Sequence, residues 1–89
     1  MKKYVIGLDI GIIDETVAIL AELKDGKLYI IKEKRSNGVG ENKITKDQMK
    51  KIKEFYYHYK NDPRMKEIYK IFIPKILGWE EYDAEVIVE

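Results

Sequence analysis

Residues 4–11 read Tyr4-Val5-Ile6-Gly7-Leu8-Asp9-Ile10-Gly11. They combine β-branched and aromatic residues with a strict alternation, the pattern of a strand with two unlike faces. Tyr4, Ile6, Leu8 and Ile10 fall on one face and Val5, Gly7, Asp9 and Gly11 on the other. Asp9 is thus a carboxylate in an apolar strand, flanked on its own face by glycines. Buried without a partner it costs several kcal/mol, about 2–7 for a polar group and more for a charge, so a buried Asp9 requires a hydrogen bond, a cation or a metal. The bare backbone at Gly7 and Gly11 leaves room for a bulky anion such as a phosphodiester. Two structural roles also fit: bonding the turn amides after Gly11, or facing water at the edge of a sheet.

Working outward, Thr16–Leu23 and Lys27–Lys34 are two further β-rich runs. Asp25-Gly26 between them supplies the positive backbone angles of a tight hairpin turn. The short link 11–15 makes strands one and two a hairpin as well, which gives a three-stranded meander. After an irregular polar loop, 35–43, Thr45 and Gln48 have the spacing of a capping box, so a helix starts there. Its apolar stripe is Met49, Ile52, Phe55, Tyr56 and Tyr59. Asp62-Pro63 reads as a cap followed by proline in the first helical position of a second helix, with Met65, Ile68, Tyr69 and Phe72 as its stripe. Pro74 lacks an amide hydrogen and is expected to kink or stop that helix near Ile73, with Gly78 as its end. Residues 79–83 connect to a fourth strand, 84–89. The expected order is βββααβ in one α/β domain, 1–89, with sheet order 3-2-1-4 and both helices on one face.

The chain has 89 residues, enough for one core, and no cysteine, which excludes a disulfide framework, a thiolate metal site and a cysteine nucleophile. The longest unbroken apolar run is Val17–Ala21, and no secretory leader is readable. A soluble, cytoplasmic protein without a membrane partner is expected. The formal charge of +1 is a cancellation: Lys/Arg against Asp/Glu is eight to seven over residues 1–44, nine to four over 45–78, and none to five over 79–89. A basic helical block is followed by an acidic tail, and the two are expected to pair within the molecule.

The first strand, 4–10, with Gly11 after it resembles the first motif of the ribonuclease H-like superfamily, which opens RuvC-type resolvases, RuvC-like domains of CRISPR effector nucleases and the nuclease domain of phage large terminases. Residues 14–18 and 25–33 also resemble the second and third strands of the terminase nucleases. Val86-Ile87-Val88-Glu89 is similar to the second motif of RuvC-like nucleases, an apolar fourth strand ending in an acid. The resemblance implies a fourth strand parallel to the first, with Asp9 and Glu89 as neighbouring catalytic and metal ligands for Mg²⁺ or Mn²⁺. Two such ions about 4 Å apart activate water and stabilise the leaving oxygen in phosphodiester hydrolysis. Family members carry one or two further acids on a later helix, so a chain ending at the second motif is expected to be truncated or minimal. The same opening strand resembles the phosphate-binding hairpin of actin-like ATPases and sugar kinases. Ile12 and Ile13 stand where those families place hydroxyl residues.

Other candidates weigh less. His58 is alone on its helix and reads as a surface residue. Gly38-Val39-Gly40 lacks the Lys-Ser/Thr of a nucleotide loop. Lys50, Lys53 and Tyr57 interleave an outward aromatic with basic residues and are the expected nucleic-acid contacts, while Phe55, Tyr56 and Tyr59 belong to the core. The expected function is metal-dependent phosphodiester hydrolysis on DNA. The alternatives are a catalytically silent module that self-associates through a sheet edge, and an actin-like nucleotide-binding relic.

Overall fold

The computed structural model describes residues 2–89. Strands β1 (Lys3–Asp9), β2 (Val17–Lys24) and β3 (Lys27–Arg35) are followed by helices α1 (Lys46–Tyr59) and α2 (Met65–Leu77) and by strand β4 (Glu85–Val88). The four strands form one mixed sheet in the order β3-β2-β1-β4. β1 is antiparallel to β2 and parallel to β4, the arrangement expected from the sequence. At the β2–β3 turn Asp25 and Gly26 take φ of 52° and 74°, the left-handed pair a type I′ hairpin requires. β3 departs from simple pairing: Leu20 faces Lys32 and Ala21 faces Ile30, so Ile31 is the extra residue of a bulge.

Both helices pack on one sheet face. Ile6, Leu8, Ala18, Leu20 and Val86 meet Ile52 of α1 and Tyr69, Ile73 and Leu77 of α2, with Ile44, Trp79 and Ala84 closing the ends. The opposite face carries no helix, and Ile87 and Ile30 lie open there, 56% and 67% exposed. Phe72, expected in the core, is instead on its margin, stacked on Phe55 of α1 with ring centroids 5.0 Å apart. Among the described residues no helix is long and apolar enough to cross a membrane.

The capping box at Thr45 is present in both directions: its hydroxyl accepts from the Gln48 amide at 3.1 Å, and its own amide donates to the Gln48 side chain at 2.9 Å. Asp62 and Pro63 do not open α2 as expected: the Asp62 carboxylate accepts from the Arg64 amide at 2.7 Å, which holds that carboxyl below its usual range, but this closes a turn, and the helix has Arg64 before its first residue, Met65, with no side-chain cap bond. Pro74 does not stop the helix near Ile73: α2 continues to Leu77, and Gly78 ends it as expected. The proline sits in the last turn, where its carbonyl is used: Trp79 donates to it at 2.8 Å while left-handed Gly78 donates to Lys75. That pattern is a Schellman motif, and buried Pro74 and Trp79 occupy the two positions whose apolar contact accompanies it.

The expected pairing of the acidic tail with the basic helices is also corrected. Among the described residues the ion pairs are Arg35 with Glu15 and Glu33, Lys51 with Asp47, and Arg64 with Asp62; none involves Glu80, Glu81, Asp83, Glu85 or Glu89. The tail is anchored by its aromatic residues. Lys34 lies 5.6 Å from the Trp79 ring centroid and donates to the Leu77 carbonyl, and Lys32 lies 5.4 Å from that of Tyr82. Burial and the neighbouring Lys32 charge lower the Lys34 ammonium's pKa.

Within this core the Tyr69 hydroxyl is buried without a hydrogen-bond partner among the described residues, and burial pushes its pKa up. An unsatisfied buried hydroxyl costs about 1–3 kcal/mol. Tyr69→Phe is therefore expected to leave stability unchanged or raise it by about 1 kcal/mol in urea unfolding; a loss of that size would reveal a partner for the hydroxyl.

Candidate functional site

Asp9 ends β1 on the face without helices, where the alternation of the strand directs it, and it is exposed. The condition attached to a buried carboxylate therefore does not apply: Asp9 faces water and needs no internal partner. The parallel register joins Leu8 to Val88, and the Glu89 amide donates to the Leu8 carbonyl at 3.0 Å. This bond carries the ladder one residue further and sets Glu89 beside Asp9.

The two acids border one hollow of about 340 Å³, walled by Val17, Ile19 and Ile87. Its floor is Gly7, where an added Cβ would meet nothing within 4 Å. Glycine is not required there by packing, and its effect is to leave the space beside the carboxylates open. Neither acid makes an ion pair or side-chain hydrogen bond among the described residues. In the same row, Val17 pairs with both Asp9 and Arg35, but the Arg35 guanidinium is committed to Glu15 at 2.9 Å and Glu33 at 3.5 Å.

No family model, curated protein or solved structure matches the chain. The donor set thus has to be judged on its chemistry. Two exposed carboxylates beside an open floor suit a hard cation that keeps several waters and takes its remaining ligands from a phosphate, the usual habit of Mg²⁺. They do not make a closed cage, and among the described residues no three His, Asp or Glu side chains are grouped to hold an ion.

The loop between β1 and β2 is tied down. The Gly11 amide donates to the Thr16 hydroxyl at 3.0 Å, the hydroxyl lies 3.4 Å from the Gly11 carbonyl, and the Thr16 amide and carbonyl bond Ser36. Buried Thr16 has its hydroxyl occupied, so it is not presented to a phosphate. The loop tip instead shows Ile12 and Ile13, 57% and 96% exposed.

Lys50, Lys53 and Tyr57 share one side of α1 and border a common open depression. Tyr57 points outward as expected, half exposed, with Lys60 5.6 Å from its ring centroid. Phe55 and Tyr59 stack on each other, packed against the core. His58 is exposed against Tyr59. Two further lysines, Lys43 and Lys46, join Lys50 and Lys53 around a hollow next to Ile12 and Ile13. The spacing of Lys46, Lys50 and Lys53 carries that signal in the sequence; their proximity to the β1–β2 loop does not appear in any local pattern.

Proposed function

We propose that the chain is a ribonuclease H-like nuclease-type domain that acts on DNA with Mg²⁺ or Mn²⁺, in the cytoplasm. The single observation that carries this is the meeting of Asp9 and Glu89 in one open hollow, at the strand ends where the family resemblance expects its acids. A bound divalent ion there supplies a polarised phosphoryl oxygen and a more acidic water. Asp9, on a strand hydrogen-bonded on both sides, is the fixed ligand. Glu89 adds a second carboxylate, Gly7 leaves the phosphate its space, and Val17, Ile19 and Ile87 supply an apolar wall. Lys50, Lys53 and Tyr57 would hold the nucleic acid, so affinity falls with salt.

Manganese titration tests the reading. Asp9→Asn is expected to weaken Mn²⁺ binding at least tenfold and Glu89→Gln to weaken it less, with thermal stability unchanged or slightly raised because like charge is removed. A wild-type protein that takes up no Mn²⁺, or an Asp9→Asn variant that binds it equally well, would sink the metal site.

A second reading, a silent module that self-associates, is favoured by the outer strand β3. Leu28, Tyr29, Ile30 and Ile31 are all exposed on it beside the helix-free face, and such edges pair with other strands. Sedimentation across concentrations decides it, since a strictly monomeric protein leaves this reading without content. The actin-like reading gains no support from a loop that offers isoleucines and a committed threonine.

A further inference from the structure

We infer that the lysine side of α1, together with the β1–β2 loop tip, is a track for one single strand of nucleic acid leading to the acid hollow. This rests on the nucleic-acid reading above and assigns the strand type and the path.

Lys46, Lys50, Lys53 and Tyr57 follow one another at intervals of four, three and four residues, so they stand in one line along the helix. At 1.5 Å per residue the three lysines cover about 10 Å, the rise of about three nucleotides of one strand at 3.4 Å each. Lys43 prolongs the line toward the β1–β2 loop. None of these four lysines makes an ion pair among the described residues, whereas Lys51, off the line, is taken by Asp47 at 3.2 Å. Two acids border the track, Asp14 and Glu54. With Lys60 at Tyr57, five cations outnumber them.

The line is bounded by surfaces suited to bases. At one end is the outward ring of Tyr57. Alongside the lysines, a hollow of about 440 Å³ is lined by Lys43, Lys46, Lys50 and Lys53 together with Ile12 and Ile13. A loop fastened through Gly11, Thr16 and Ser36 holds both isoleucines out in water, which is costly unless something covers them. Aromatic and apolar side chains beside a cationic line are how proteins hold unpaired bases. A duplex would call for a second row of cations across its groove, and the track has one row. A membrane surface would favour a broad apolar patch; here two isoleucines stand beside one line of lysines. Gly11 borders the track hollow at the end of β1, and Asp9, two residues earlier, borders the acid hollow on the helix-free face, so the nucleic-acid strand turns round the end of the sheet to reach it.

Fluorescence anisotropy with a labelled mixed-sequence 12-nucleotide DNA, the matching 12-base-pair duplex, and phosphatidylserine/phosphatidylcholine vesicles tests this. The single strand is expected to bind at least tenfold tighter than the duplex. Lys46→Glu/Lys50→Glu should weaken it at least tenfold and lower the salt slope by about 1.4, for two phosphate contacts. Ile12→Ser/Ile13→Ser should weaken it about fivefold with the slope unchanged, and Lys66→Glu, on α2, should do little. Equal or tighter duplex binding, or an equal loss in Lys66→Glu, overturns the track and leaves DNA binding standing. Binding of no DNA form overturns the nucleic-acid reading too, as does vesicle binding alone that is lost in the isoleucine variant. Mn²⁺ affinity at Asp9, measured alongside, reports the metal site independently.

Discussion

Trp79→Ala is expected to destabilise the domain by about 3–5 kcal/mol, the usual cost of truncating a buried large aromatic. A domain of this length has about 4–13 kcal/mol in total, so the variant will be near or past unfolding. Trp79 is 3% exposed and does three things at once. Its ring fills the core with Leu77 and Ala84 and packs under the Lys34 ammonium, and its amide donates to the Pro74 carbonyl across the helix terminus. Losing it frees the segment that delivers β4 to β1. Urea unfolding followed by circular dichroism measures the effect, since the variant lacks the chain's one tryptophan as a fluorescent probe. Trp79→Phe should recover more than half of the loss. A cost under 1 kcal/mol for the alanine variant would mean that the tail is not anchored through this ring.

Gly11→Ala is expected to cost about 2–4 kcal/mol. A Cβ at this position would fall into the backbone of Asp14 and Glu15, atoms that move only if the loop moves. Overpacking of this kind costs about 1–3 kcal/mol, and opening the loop also separates Gly11 from the buried Thr16 hydroxyl, a further penalty of about 1–3 kcal/mol if it is left unpaired. Gly38→Ala meets the Asn42 backbone in the same way and serves as a comparison on the neighbouring loop. Gly7→Ala, with nothing near its Cβ, should leave stability unchanged while crowding the acid hollow. Chemical unfolding of the three variants separates the positions where glycine fits the backbone from the one where it leaves a space. Equal stability in all three would remove the distinction.

The elements that local chemistry specifies were legible in the sequence. Alternation from Tyr4 to Ile10 marks β1 and its faces, Asp25-Gly26 marks the hairpin, and Thr45 with Gln48 marks the start of α1. The short link between strands one and two and the helical crossover then left the 3-2-1-4 order as the expected one, and the sheet has it. What was not legible depends on partners distant in the chain. The bulge at Ile31 arises from fitting β3 to β2, and it lets Lys32 and Lys34 lie against Tyr82 and Trp79. Charge totals suggested instead that the tail would pair with the helices. Pro74 misled because its missing amide hydrogen and its ring bear only on the Lys70 carbonyl, whereas the end of the helix is set by left-handed Gly78 and the Schellman bonds of Gly78 and Trp79 to the Lys75 and Pro74 carbonyls. For the candidate site, strand alternation put Asp9 on the correct face, but its openness follows from the lack of a helix there. The track residues Ile12 and Ile13 were noted only as missing hydroxyls, since nothing local shows that they stand across from Lys46 and Lys50.

The pairing of β1 with β4 joins the first strand to the last, and Asp9 to a residue eighty positions away (89 − 9). The meander and α1 can take shape from near neighbours, whereas this closure must overcome the entropy of the whole intervening chain. A chain that has not made this closure lacks the acid pair, whatever its helical content. If the metal site proposed above holds, Mn²⁺ uptake would report completion, separating a chain that has closed its sheet from one that has merely collapsed, a difference that helical content alone would miss.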